Sequence, residues 1–375
     1  MTRLSGLPLG LSLHLQWNIC LALLTSVVMS TAAWGTETDT SRQVLNKALQ
    51  NSAFSGQWFL SYLMKDEGDD LTSHFTLKRG YLTFTKEFSK TLSIRFTQDI
   101  TLDEEGTDAG NIEMRLKYCY LKINTHAFPL LRDGYVEVGL VHRPWLDFEE
   151  KINRYRVQGM MFLERQRIMN SADFGFTFVN LLGGKLQSEY RKGSAASLPG
   201  RYGSFAIGIY NGGGYHAIEN NRNKTIEGRI SIRPLPDHIP GFQVSYHGVR
   251  GKGNTGSSPV FKVDHAFVSF ENNFLSLTAQ QVWGNGNAAG TFVNEAGAAI
   301  LTSGMSFFGE LRYPSSGFAV FSRWDDFHAN TGITSAMGGI AYYFMNDSKA
   351  IAQIDRQSTD GQIRWIYELA IELKF

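Results

Sequence analysis

The last thirteen residues constrain this chain more than any other stretch. Ile363, Trp365, Tyr367, Leu369, Ile371, Leu373 and Phe375 occupy one set of alternate positions. Arg364, Ile366, Glu368, Ala370, Glu372 and Lys374 occupy the other. Successive side chains of a strand point to opposite faces, so this is a ribbon with one apolar and one mostly charged face. Soluble strands usually run to roughly 5–6 residues. This one is long enough for a tilted strand to cross a bilayer, which takes about 9–11.

The chain stops on an aromatic residue at the foot of the apolar face. That ending resembles the closing strand of Gram-negative outer-membrane β-barrels. The same alternation recurs upstream. Leu92, Ile94, Phe96, Ile100 and Leu102 oppose Ser93, Arg95, Thr97 and Asp99. Ile226, Gly228, Ile230 and Ile232 oppose Glu227, Arg229, Ser231 and Arg233. Leu275, Leu277 and Ala279 oppose Ser276, Thr278 and Gln280. Phe307, Gly309 and Leu311 oppose Ser306, Glu310 and Arg312, with Phe308 breaking the polar row. Each such strand suits lipid on one side and water on the other.

About sixteen strands fit between Gly56 and Phe375, and an even count suits a transmembrane barrel with both ends in the periplasm. Every second connection is then a periplasmic turn. Those at 85–90, 234–240, 271–273, 314–316 and 346–348 are short; 182–202 is a long exception. The opposite set holds the segments 143–171, 211–224, 250–259, 284–302 and 326–335, many of them rich in Gly, Asn and Ser. Short turns on one side and long loops on the other are the barrel pattern. The fold class expected is therefore all-β: a transmembrane antiparallel β-barrel with its third extracellular loop folded inward.

Composition agrees with this reading. Lys and Arg number 36 against 35 Asp and Glu, which argues against a nucleic-acid binder. Beyond the N-terminal stretch no run of about 18 apolar residues occurs, so no transmembrane helix is expected. Residues 1–35 read as a signal peptide, with Arg3 as its only charge and an apolar core from Cys20 to Met29. Residues 36–54 read as a short periplasmic or plug segment, with a short helix over 40–49, and 55–375 as the barrel. Of the two cysteines, only Cys119 remains after cleavage, so no intrachain disulfide forms.

The third long loop, 143–171, decides what the barrel is for. It carries Arg143, Lys151, Arg154, Arg156, Arg165 and Arg167 against Asp147, Glu149, Glu150 and Glu164. It also holds Trp145, Phe148, Tyr155, Met160, Met161, Phe162 and Leu163, more large apolar groups than an exposed loop needs. Folded into the lumen, it narrows the channel, and fixed charges at a narrowing select ions by sign. Two readings of its charges stay open: they select anions, or they pair with each other and the wall. Candidate pore residues are Arg95, Arg229, Arg233, Arg312 and Arg364 from strand phase, with Arg143, Arg154, Arg156, Arg165 and Arg167 from the loop.

Several short stretches carry a family resemblance. They include Tyr135 to Pro144, Phe162-Leu163-Glu164-Arg165, Asp173-Phe174-Gly175, Ile207 to Gly212, Ser322-Arg323-Trp324-Asp325 and Gly339 to Tyr343. In succession they resemble the phosphate-selective porin O and P family. The resemblance implies a sixteen-stranded channel, commonly a homotrimer, with an inward third loop and a basic lumen. The acidic residues of the loop depart from a strictly phosphate-selective lumen.

The expected function is passive diffusion of small hydrophilic solutes or anions across the outer membrane of a Gram-negative bacterium, with outer-membrane lipid around the barrel. The competing reading is a non-conducting structural or surface-interaction barrel. Enzymatic motifs give no support: there is no G-x-S-x-G elbow and no H-E-x-x-H spacing, so neither catalytic residues, nor a metal, nor a cofactor is expected. Gly251 to Gly256 fits G-x-G-x-x-G, but a strand follows instead of a helix, so a loop is expected there.

Overall fold

The computed structural model describes residues 49–68, 70–103, 109–126, 131, 133–187 and 198–375. The expected signal peptide, nearly all of the short helix and most of the 36–54 segment lie outside the described residues. The barrel unit runs from Ala53 to Phe375. Its strands are β1 (Ser52–Asp66), β2 (Leu71–Glu87), β3 (Leu92–Leu102), β4 (Ile112–Asn124), β5 (Gly134–His142), β6 (Ala172–Leu182), β7 (Gly203–Tyr210) and β8 (Thr225–Ile232). They continue with β9 (Phe242–Lys252), β10 (Val260–Glu271), β11 (Leu275–Asn285), β12 (Leu301–Tyr313), β13 (Phe318–His328), β14 (Gly332–Tyr343), β15 (Lys349–Thr359) and β16 (Gln362–Lys374). All sixteen form one closed barrel in sequence order, with β1 antiparallel to β16. Closure removes both edges, and every ladder hydrogen bond is satisfied without water, which a hydrocarbon surround requires.

The terminal strand closes the ring. Trp58 to Asp66 pair with Leu373 to Trp365. At the seam Gly56 and Phe375 exchange backbone hydrogen bonds of 2.9 and 3.1 Å. The Phe375 ring lies over Gly56 so closely that a Cβ there would stand 2.1 Å from Cζ. A side chain at 56 would require that ring to swing away.

The alternation sorts as the period of two dictates. Ile207, Ile230, Val244, Leu277, Val320, Ile340 and Leu369 are exposed on the outer wall, while Ser231, Gln243, Ser245, Ser276 and Ser306 are buried inside. Water would not tolerate so continuous an apolar outer surface; lipid does. Tyr202, Phe274, Tyr313, Phe318 and Tyr342 are exposed at the end bearing the short turns, an interfacial aromatic girdle.

The connections differ from expectation at one place. Strands β13 and β14 extend to His328 and from Gly332, so the long loop expected over 326–335 shrinks to residues 329–331. Register explains it. Trp324, Asp326 and His328 continue to pair with Ala336, Thr334 and Gly332. Polar residues at the rim read as loop in sequence, yet the ladder carries them as strand.

Candidate functional site

The loop 143–171 enters the barrel, and its own sequence explains why. It forms α1 (Leu146–Ile152) and α2 (Phe162–Arg165). Helices this short are unstable alone and depend on packing. Trp145, Leu146, Phe148, Ile152, Phe162 and Leu163 are buried against Val249, Phe261, Val263, Phe267, Val282 and Phe327, which the wall turns inward. A second patch seats Tyr155 and Val157 on Phe308 and Phe321. Phe308 interrupts its polar row because Tyr155 lands there, with ring centroids 5.7 Å apart.

Polar bonds fix the loop in register. Arg143 Nε lies 2.7 Å from Glu227 Oε2, and His247 Nε2 lies 2.9 Å from Glu227 Oε1. Arg229 donates to the Pro144 carbonyl at 3.0 Å and to Ser204 and Ser231. Arg165 pairs with Asp355 at 2.8 Å and donates to Ser335. Lys349 reaches the Arg154 carbonyl at 3.1 Å, and Lys78 the Val157 carbonyl at 2.7 Å. Trp145 Nε1 and Gln280 Nε2 both donate to Glu149, at 2.8 and 2.7 Å. Burial outweighs these donors and pushes the Glu149 carboxyl up to about 7.

The loop thus fills the side of the lumen facing β8–β15 and leaves a cavity of about 460 Å³ on the β1–β4 side. Arg95, Lys117, Lys151, Arg154, Arg156 and Lys374 line it with three carboxylates, Asp147, Glu150 and Glu372. The carboxylates are engaged: Asp147 by Lys151 at 3.3 Å, Glu150 by Arg156 at 3.1 Å, and Glu372 by Lys349 and Lys374 at 2.7 and 3.0 Å. Burial opposes ionisation of Asp147, but Lys151, His142 and Arg95 together hold its carboxyl well below the ordinary value. Burial likewise disfavours the Arg156 charge, yet Glu150, Tyr81 and Glu164 together outweigh it and keep the guanidinium firmly protonated. Arg95, Lys117 and Arg154 have no carboxylate within ion-pair distance among the described residues. Arg95 instead donates to Thr97 at 3.0 Å and lies over the Tyr118 ring, and Lys117 donates to the Tyr81 hydroxyl at 3.0 Å.

Lys117 owes its place to a β-bulge. Thr97 pairs with Tyr118 but Gln98 pairs with Leu116, so Lys117 is the extra residue. Both Lys117 and Tyr118 are buried on the inner side. Bulges re-aim side chains in this way. Three residues further along β4, Tyr120 pairs with Gly139, whose φ is 127° and where a Cβ would stand 2.4 Å from the Cys119 carbonyl oxygen.

The sequence candidates therefore fall into groups. Arg95, Arg154 and Arg156 line the cavity. Arg143, Arg165 and Arg229 brace the loop. Arg233 donates to the Gly200 carbonyl and Arg312 to that of Asn272, both near the turns between strands. Arg364 bridges Gln357 and Glu67 at the opposite rim, and Arg167 is exposed. Sequence phase missed Lys117, and also Arg79 and Arg115, which share Asp99 at 3.4 and 3.5 Å. The signal was present in Arg115 to Tyr120, where no single phase puts Arg115, Lys117, Tyr118 and Tyr120 on one face.

No family model and no curated protein sequence matches this chain. Solved structures do. The anion-selective porin from Comamonas acidovorans superposes with a TM-score of 0.58 at 10% identity, covering 86% of this chain and 100% of that one. Salmonella typhi OmpF, solved with daunomycin, gives 0.55 at 11% identity, covering 86% of this chain and 97% of that one. The outer-membrane channel DcaP of Acinetobacter baumannii gives 0.55 at 8% identity, with 86% and 98% covered. This is an outer-membrane barrel with the porin fold of Gram-negative bacteria. Identities this low carry the fold alone; the phosphate-selective family does not follow from them.

Proposed function

We propose that this barrel is a porin: a passive channel for small hydrophilic solutes whose narrow part lies between the 143–171 loop and strands β1–β4, and which prefers anions. One observation carries the reading. The passage is lined by three cations, Arg95, Lys117 and Arg154, with no carboxylate within ion-pair distance among the described residues, while each carboxylate lining it is held by a cation. A solute crossing there meets fixed positive charge beside low-dielectric walls, which concentrate the field. The name of the Comamonas porin, anion-selective, fits the same reading. A strict preference for phosphate would need a further set of free cations along the path.

The test is reversal potential in planar bilayers across a KCl gradient. Arg156 is bound to Glu150 and Tyr81, so Arg154 gives the cleaner perturbation. Arg154→Glu changes the local charge by two units. At about 8 Å in a water-filled passage each unit is worth roughly 0.5 kcal/mol before screening. The anion-to-cation permeability ratio is therefore expected to fall about two- to fivefold. A reversal potential unmoved by Arg154→Glu removes the residue from the path, and a folded barrel that never opens refutes the channel.

A further inference from the structure

We propose a second site on the outside of the barrel: a patch on β8–β10 that binds the phosphate of an anionic glycolipid in the outer leaflet. It rests on the outer-membrane placement of the barrel and is independent of conduction.

The outer-wall positions of β9 and β10 are apolar through most of their length, with Val244, Tyr246, Ala266 and Val268 exposed. At the end that carries the 143–171 loop, which faces the cell surface, they change character. Arg250 and Lys252 lie at the end of β9, Lys262 in the first turn-proximal residues of β10, and exposed Lys224 immediately precedes β8. Lys262 pairs with Arg250, and Lys252 with Val260. Ile226 of β8 also pairs with Arg250. Neighbouring strands lie about 4.8 Å apart, and same-face residues about 7 Å apart along a strand. The four cations therefore gather on three adjacent strands within roughly 12 Å.

Asp264 is the one carboxylate at the outward positions of these three strands. It accepts from the Tyr246 hydroxyl at 2.5 Å and from Arg250 Nη2 at 2.6 Å, and lies 3.3 Å from Lys262 Nζ. Its side chain is 10% exposed, whereas those of Arg250 and Lys262 are 52% and 45% exposed. The carboxylate is thus covered while the cations face out. Arg250 Nη1 also donates to the Val249 and Val263 carbonyls, at 2.8 and 2.7 Å. The guanidinium is held as a rigid plane, and its Nε–H and one Nη2–H remain for a ligand. A fixed guanidinium flanked by lysines suits phosphate oxygens.

The surroundings select the source of the phosphate. The patch faces away from the lumen, so a permeating solute does not meet it. A charge facing hydrocarbon is costly at the bilayer midplane and tolerable near the interface. Trp283, which pairs with Asp264, is exposed on the next strand, as an interfacial aromatic should be. The ligand at that level is a lipid headgroup.

The test uses the folded barrel in uncharged detergent, titrated with a lipid bearing a bisphosphorylated glucosamine disaccharide and followed by native mass spectrometry. Lys252→Gln/Lys262→Gln removes the Lys262 contact with Asp264 but keeps the bonds of Arg250 and Tyr246 to that carboxylate. Each cation near an anionic surface contributes about fivefold, so a loss of about 25-fold is expected, with wild-type conductance retained. Lys224→Gln/Lys252→Gln, neither residue bonded to Asp264, serves as the second variant and should lose a similar amount. The dephosphorylated lipid should bind the wild-type barrel no better than the variants bind the phosphorylated one. Equal affinity for the two lipids, or unchanged affinity in both variants, overturns the proposal. Displacement of the lipid by millimolar inorganic phosphate also overturns it, by making the free ion the ligand.

Discussion

The docked loop sets one large aromatic anchor on each of two wall patches, and removing both should open the barrel. Trp145 is wholly buried. Its ring stacks on His247 at 5.4 Å and meets His265 and Phe267 edge-on at 4.3 and 4.9 Å. Tyr155 is also wholly buried, 4.3 Å from Phe321, with its hydroxyl 2.9 Å from Glu310. Truncating a buried Trp or Phe to alanine costs about 3–5 kcal/mol. The two anchors sit on different wall patches, so their losses should add. The double variant Trp145→Ala/Tyr155→Ala thus weakens docking by roughly 6–10 kcal/mol. Whole domains are stable by only about 5–15 kcal/mol, so a 29-residue loop has little margin beyond that. The barrel itself should persist, because its ladder does not run through these residues.

Single-channel recording reads the outcome. The wild-type channel should show one small, quiet conductance set by the cavity beside the loop. The double variant should show a larger and noisier one, because a loop that leaves the wall no longer fills the far side of the lumen. Met160→Ala is the control: its side chain is exposed, and the variant should match wild type. A folded double variant with wild-type conductance and noise would refute the view that the loop sets the passage.

Two further outcomes follow from the same packing. The Glu149 carboxyl sits at about 7 in the docked loop, against an ordinary value of 4.5, with Arg323 and Asp325 as its charged neighbours. Docking therefore binds a proton, so it is strongest below 4.5, weakens as pH rises between 4.5 and about 7, and is constant above. Channel noise should rise from pH 5 to pH 8, and Glu149→Gln should flatten that dependence; a slope unchanged in the variant separates the effect from this carboxyl. Cys119 is exposed on the outer wall, opposite Phe96 and Leu140. In liposomes an apolar maleimide should label it and a charged, water-confined one should not; equal labelling by both would place β4 in contact with water.

Residues differ in how much of their environment is local, and that decides what could be read from the chain. Whether Leu277 or Ser276 faces lipid depends only on its own strand, so the period of two reveals it. That is why sixteen strands and most of their connections were legible, and why the excess of apolar residues in 143–171 pointed inward. The inner wall is different, because its residues answer to whatever stands across the lumen. Arg229 reads as a free pore cation by phase, yet its partner is the Pro144 carbonyl, 85 positions away. Phe308 reads as a fault in a polar row until Tyr155 is seen to rest on it. Lys117 escapes strand phase because the bulge beside it shifts the register. In each case the misleading residue marks where the loop docks or where the cavity beside it lies. Apolar interruptions of an inward polar row, and cations at the break between two phases, are thus the local traces of long-range contacts inside such a barrel. By that rule Phe261, Phe267, Phe321 and Phe327, all inward and all buried, map the loop's footprint on the wall, and β2–β4, which lack such phenylalanines, border the cavity beside the loop.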